Sequence, residues 1–419
     1  MVTIASASSL DRDPRTAVRD CLSQLEAGAA PDPGQDPDKA PDPDPDLVMI
    51  QVNAALDVDI IRECLRDRYP SAALHGATSC QGTMTDKRLC SAPDAGMAIW
   101  TFHDGEGDTG TGLRAYNGDP GEAAAQAILD AMASVDRFGE IPQLVWVSAA
   151  PGDEEAIIDG IQSVVGRGVP IVGGSAADNT VSGGWQVFDR DSTTAAGLVV
   201  SAWFSPLRIG TAFHSGYRPT DRKATVTSAR GRVVYSLDNR PALDLYREWN
   251  GPAMDAPGAN PIPDPASHTV NILQATTLSP LGRRRGNLAG ASMFVLSHPE
   301  TARPDGGISL FTNVAEGEEL HLMEGTVESL IHRPGNVCRS AMDMIELDAR
   351  DIKGAILVYC AGCMLTVRDR MNEVHGQITQ ALPGVPFITA FTFGEQGPVL
   401  DAENRHGNLM ISAALFGET

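Results

Sequence analysis

A chain of 419 residues is too long for one ordinary hydrophobic core, and two α/β domains are the natural expectation. With 42% hydrophobic and 21% charged residues the balance is that of a globular protein, and the 42 glycines suit small-residue turns at strand ends. A formal net charge of −22 speaks against nucleic acid and anionic membrane surfaces as partners, because both need Lys and Arg presented together.

The first residues, Met1 to Arg12, show no basic segment followed by an apolar one, so no secretory signal is expected. No apolar run approaches the about 20 residues of a membrane-spanning helix. Seven cysteines without a disulfide-like spacing then read as reduced thiols in a cytoplasm. A short helix is expected over Arg15 to Ala27. Pro31 to Leu47 (PDPGQDPDKAPDPDPDL) can neither form a helix nor donate to a sheet, and its charges repel, so it reads as an extended solvated insertion.

From Asp46 strands and helices alternate. Strand-like runs cover Asp46–Val52, Ala72–Gly76, Ala95–His103, Gln143–Ser148 and Val169–Gly174, and helical spacing covers Leu56–Arg68, Gly121–Ser134 and Asp153–Val165. Trp185 to Tyr235 is mainly β. A helix over Pro241–Trp249 and a Pro/Gly-rich loop over Gly251–Pro265 follow, then further β segments up to His321. Helices are expected near Thr326–Leu330 and Cys338–Leu347. A strand over Gly354–Cys360 then runs into a helix spaced through Met364, Val367, Met371, Val374, Ile378 and Leu382, before strands near Pro386–Phe393 and Asn408–Phe416. The expected fold is α/β: two modules of mixed, partly parallel β-sheet covered by helices. The divisions fall at residues 1–44, 45–235 and 236–419.

Four strands end alike. His75-Gly-Ala-Thr-Ser-Cys80, Gly173-Gly174-Ser-Ala-Ala-Asp178, Phe391-Thr-Phe-Gly394-Glu395 and Tyr359-Cys360-Ala-Gly-Cys363 each carry an apolar strand into small residues and one or two polar or reactive side chains. Glycine permits close backbone approach, and ligands of open α/β sheets bind beyond the carboxyl ends of strands. These ends suggest a lined cavity. Phosphate loops, dinucleotide fingerprints, H-E-x-x-H and G-x-S-x-G are absent from the sequence.

With those motifs in view, the chain resembles the FIST-domain family, sensory proteins built from an N-terminal and a C-terminal FIST module. The N-terminal module's signature resembles Pro45 to Ile50, Pro70 to Cys80 and Val172 to Asn179. The C-terminal signature resembles Pro280 to Gly282, Gly354 to Gly362, Val385 to Glu395 and Asn404 to Asn408. The resemblance implies intracellular sensing of a small ligand, with amino acids proposed, and a haem-binding, nitric-oxide-responsive branch. No output domain is visible in the sequence, so any signal is expected to leave through a separate signalling protein. The family tends toward arginine where Cys363 stands. Either Arg368 takes over the two-pronged hold on a carboxylate, or the ligand differs.

The candidate ligand-binding residues are therefore Cys80, Gly173, Gly174, Asp178, Cys360, Cys363, Arg368 and Glu395. Each has a plainer reading: cysteines as small buried fillers, Asp178 as a turn cap, and Glu395 as the partner of a structural arginine. A cysteine nucleophile (Cys80 or Cys363) with Glu395 or a histidine as base is the alternative function. Haem would need an axial side chain, and His75, His214, His375 and His406 are the conceivable ones, with no motif selecting among them. A zinc site would need four ligands brought together by the fold, and none is assigned.

Overall fold

Apolar strands such as Leu144–Ala149 need cover on both faces, and the chain supplies it by building one unit three times around a common interior. The computed structural model describes residues 2–28, 44–254, 262, 265, 267–288, 291–399 and 403–418. The Pro/Asp-rich stretch and most of the Gly251–Pro265 loop lie outside these residues.

The first unit comprises β1 (Val2–Ser9), α1 (Pro14–Gly28), β2 (Leu47–Asn53), α2 (Val58–Arg68), β3 (Ala73–Ser79), the hairpin β4 (Gly82–Thr85) and β5 (Leu89–Ser91), and β6 (Met97–Asp104). The second repeats the order with β7 (Asp108–Ala115), α3 (Pro120–Ala133), β8 (Leu144–Ala149), α4 (Glu154–Val165), β9 (Ile171–Ser175), β10 (Val187–Phe188), β11 (Thr193–Thr194) and β12 (Gly197–Phe204). The third opens with β13 (Arg208–Ser215) and resumes at α5 (Val327–Met344) and β14 (Ile352–Cys360). It continues through α6 (Ala361–Thr366), α7 (Met371–Ala381), β15 (Phe387–Thr392), β16 (Glu395–Pro398), β17 (Asn404–Gly407) and β18 (Met410–Gly417).

In every unit the last strand lies antiparallel between the first and second, and the second pairs parallel with the third. The hairpin leaves its own unit. β10 pairs onto β3, β16 onto β9, and β4 onto β15, which closes three six-stranded sheets into a ring. Inward side chains fill one end of the ring. Phe416 lies 5.5 Å from Trp100 and 5.7 Å from Trp203, ring centre to ring centre, with Trp146 and Phe102 in the same core. Outward faces are covered by the helices.

Between β13 and α5 the third unit carries an insert of residues 218–324. It is a nine-stranded sheet with a helix at Ala242–Met254 and its own core around Tyr246, Leu281, Ile308 and Leu320. Arg283 sits in one of these strands, 7% exposed, donating to the Asn313 carbonyl at 2.8 Å.

The sheets are mixed and helix-covered, as expected for α/β. Several local expectations change. The first strand was not anticipated, since Val2-Thr-Ile-Ala-Ser-Ala-Ser-Ser is only weakly apolar, and β1 with α1 completes the first unit. The two helices expected near 326–347 are one, passing through Pro334. The single helix expected after Cys363 is broken into α6, a turn at Arg368–Arg370, and α7. Thr366 hydrogen-bonds back to the Gly362 carbonyl at 2.8 Å, a local competitor to helix propagation. The 235/236 division falls inside the strand Val233–Leu237.

Candidate ligand cavity beside the meeting strand ends

The carboxyl ends of β3, β9 and β15 bond directly to one another. Cys80 N donates to the Phe391 carbonyl at 3.0 Å, Ala177 N to Thr78 at 3.0 Å, and Ser175 N to Gly394 at 2.7 Å. The small residues make this approach feasible. A Cβ on Gly174 would lie 2.5 Å from Thr392 Cγ2, and one on Gly173 would lie 1.9 Å from the Val147 carbonyl oxygen. In register, Gly174 faces Glu395 and Gly173 faces Gln396.

Glu395 is fully buried. Its Oε1 accepts from Thr392 Oγ at 2.8 Å, and its Oε2 accepts from Met410 N at 3.0 Å. Burial, with the Cys360 thiol beside it, pushes this carboxyl well above its ordinary range despite those two donors. Among the described residues no arginine pairs with it.

The cysteines are buried too. Burial, then the neighbouring Cys363, pushes the Cys360 thiol well up, and burial pushes Cys80 up to about 12. Cys363 lies behind Cys360, its Sγ 3.8 Å from the Tyr217 hydroxyl. Asp178 serves a loop. Its Oδ1 accepts from Thr180 N at 2.9 Å and from Val181 N, and its Oδ2 accepts from Ser182 N and Gly184 N at 2.8 Å each. Burial opposes ionisation there, and these backbone donors outweigh it to hold the carboxyl below its usual range.

Beside this junction lies a cavity of about 1250 Å³, between the ends of β14 and β15 on one side and the insert on the other. Of the eight candidate residues, Cys360 and Arg368 line it, while Cys80, Gly173, Gly174, Asp178, Cys363 and Glu395 are outside its wall. Thr392 and Asn408 complete the barrel side; Trp249, Leu273, Phe311 and Leu322 form much of the insert side. Arg368 is exposed at the mouth, 3.4 Å from Gln81 Oε1.

Sequence reasoning missed Asn408 and His298. Asn408 Oδ1 accepts from His298 N at 3.2 Å, while its buried Nδ2 has no partner among the described residues. His298 Nε2 lies 3.1 Å from the Leu273 carbonyl, and burial pushes its imidazole down to about 4, so it donates there as the neutral ring. Only the place of Asn408 at the end of the family-like Asn404–Asn408 stretch pointed this way. The insert's contribution had no signal in the sequence.

The conceivable haem ligands do not fit this cavity. His75 is fully buried between Ser201 Oγ (2.8 Å) and Ser148 Oγ (3.0 Å), and burial lowers it to about 3. His375 meets the Thr85 carbonyl at 2.8 Å, and His406 lies between the Glu395 and Phe311 carbonyls at 3.3 and 3.2 Å. His214 is likewise absent from the wall.

Among the described residues one cluster has metal-ligand character, formed by Glu154, Glu155 and His406. Arg232 of the insert stands where a cation would: its guanidinium lies 2.7 Å from Glu154 and 3.0 Å from Glu155. Burial would raise Glu154, but His406 and Arg232 outweigh it and hold the carboxyl down at about 2. The cluster is an ion-pair clasp between insert and barrel.

Residues 46–240 match the FIST N domain and residues 242–398 match the FIST C domain, so the chain belongs to the FIST family, a sensory family. The chain is 35% identical over 97 residues to the uncharacterized protein MJ1623 of Methanocaldococcus jannaschii. That stretch is 23% of this chain and 18% of the relative, so the chain matches under a fifth of the relative's length. Cyanuric acid hydrolase from A. caulinodans aligns over 100% of both chains at 9% identity and a TM-score of 0.41. A second cyanuric acid hydrolase aligns over 51% of this chain and 72% of its own at 12% identity and 0.27. Among the described residues no helix is long and apolar enough to cross a membrane.

Proposed function

We propose that this protein is a cytoplasmic small-molecule sensor whose ligand occupies the cavity between the barrel and the insert. The observation that carries this reading is the wall itself. Cys360, Thr392 and Asn408 come from the barrel, whereas Trp249, Leu273 and Leu322 come from the insert. A ligand touching both sides binds the closed arrangement better than an open one, and that differential affinity is what a sensor needs. An amino acid or similar small metabolite is the ligand that the family suggests, with Arg368 as the carboxylate holder. The signal would pass to a separate signalling protein recognising the closed insert.

The enzyme alternative has less support. A nucleophilic cysteine needs access to its substrate and a lowered pKa, whereas Cys80 and Cys363 are both buried and burial pushes the Cys80 thiol up.

A thermal-shift screen against amino acids, amines and carboxylates tests the sensor. A specific ligand at a hundredfold excess over its Kd adds about 2.7 kcal/mol of stability. That gain is expected to vanish in Ala275→Trp, which fills the cavity from the insert side. A ligand that stabilises both proteins equally would place binding elsewhere and sink the proposal.

A further inference from the structure

Cys360-Ala-Gly-Cys363 has no chemical part in sensing, yet it brings two thiols together at the cavity wall. We infer that the pair is an oxidisable dithiol: a hydroperoxide entering the cavity oxidises Cys360, and Cys363 converts the product to a disulfide within the chain. Such a site is independent of whatever ligand the sensor binds.

The backbone sets the spacing. β14 ends at Cys360 and α6 begins at Ala361, so the two cysteines are separated by about one helical turn. Residues three apart on a helix have Cα atoms about 5 Å apart, inside the about 4.4–6.8 Å that a disulfide spans. The side chains meet as well, because the Cys360 sulfur has the Cys363 thiol as a hydrogen-bond partner. Among the described residues every cysteine is a free thiol, so this is the reduced form of the pair.

Exposure sets the order of reaction. Cys360 stands in the cavity wall, 4% exposed, whereas Cys363 is fully buried behind it. The far side of Cys363 is closed by the Tyr217 hydroxyl, 3.8 Å from its sulfur and itself donating to the Thr277 carbonyl at 2.7 Å. A small peroxide in the cavity therefore meets Cys360 first. The Glu395 carboxyl lies beside the Cys360 thiol and is the group placed to take its proton.

The chemistry balances in two steps. Cys360 sulfur attacks the terminal peroxide oxygen, the O–O bond breaks, and the sulfur keeps that oxygen as a sulfenic acid. The leaving alkoxide takes the thiol's proton by way of Glu395 and departs as an alcohol, or as water from hydrogen peroxide. Cys363 sulfur then attacks Cys360 sulfur, and the hydroxyl leaves with the Cys363 proton as water. Two thiols are oxidised and one hydroperoxide is reduced. Burial, then Cys363, raises the Cys360 thiol, so thiolate is scarce and the first step is slow. The disulfide carries neither charge nor S–H, and the same burial does not penalise it.

Hydrogen peroxide added to the intact folded protein, followed by thiol blocking and peptide mass spectrometry, tests this. Lys353 and Arg368 bracket both cysteines, so trypsin releases them in one peptide. That peptide is expected to lose two hydrogens together with both alkylation sites, and to regain them in dithiothreitol. In Cys363→Ser the reaction should stop at a sulfenic acid that dimedone traps on Cys360, and in Cys360→Ser the Cys363 thiol should survive. Dimedone found on Cys363 overturns the order of attack. A cross-link from Cys360 to Cys80, whose charge it also feels, overturns the pairing. Both thiols surviving in the folded wild-type protein, under a peroxide excess that oxidises the same peptide after urea unfolding, overturns the inference as a whole, whether or not either variant folds.

Discussion

The Tyr359 hydroxyl donates to the Leu330 carbonyl at 3.1 Å, and Leu330 is the residue four positions before Pro334. A proline inside a helix has no N–H for that carbonyl. The neighbouring sheet supplies the missing donor, which is how α5 passes through Pro334 without ending.

Tyr359→Phe is accordingly expected to cost about 1–2 kcal/mol in urea unfolding, the range for leaving a buried acceptor unpaired. In a Pro334→Ala background, where the helix can make its own bond, the same change should cost measurably less. Equal costs in the two backgrounds would show that the hydroxyl does not serve that carbonyl.

The strand-end junction makes a steric prediction. Alanine at Gly174 places a Cβ 2.5 Å from Thr392 Cγ2, so Gly174→Ala should destabilise by about 1–3 kcal/mol. Thr392→Ser removes that methyl and keeps the hydroxyl on Glu395. The double variant should recover part of the loss, and a double-mutant cycle read by thermal unfolding measures the coupling.

The clasp between insert and barrel is a matter of pH. Glu154 is held at about 2 when folded against an ordinary 4.5. A depressed carboxylate contributes stability that is present above 4.5 and is lost as pH falls toward about 2. Arg232→Met strands a buried charge and should destabilise by about 3–5 kcal/mol at neutral pH. The penalty should shrink through that same acid window. A penalty independent of pH would remove Arg232 from the account.

Thiol labelling separates the two functional readings. Among the seven free cysteines, Cys64 is the one not fully buried, and it should be alkylated first in the native protein. Cys80 and Cys363, the two candidate nucleophiles, are buried and should label slowly, followed peptide by peptide in a mass spectrometer. Fast labelling of Cys80 or Cys363 near neutral pH would restore the nucleophile.

Local sequence carried much of the architecture. The runs at Gln143–Ser148 and Gly354–Cys360 read as strands, and Asp153–Val165 as a helix, because burial on two faces or one leaves a period that composition alone displays. Glycine before Ser175 and around Glu395 likewise signalled close approach. The threefold repetition was not visible. What recurs is hairpin exchange between sheets, a relation of strands far apart in the chain, and the units share burial demands without a shared motif.

What sequence alone determined here is therefore the α/β alternation, the family and the small-residue strand ends, all consequences of side-chain size and polarity at short range. The folded molecule decided which of those ends face a ligand. Cys360 and Arg368 reach the cavity, whereas Glu395 and Cys80 are sealed behind it, because the ring closure packs three ends into contact and the insert walls off space beside only one. Asn408 and the insert's Trp249 joined that wall through contacts between residues more than a hundred positions apart in the chain, which no local pattern encodes.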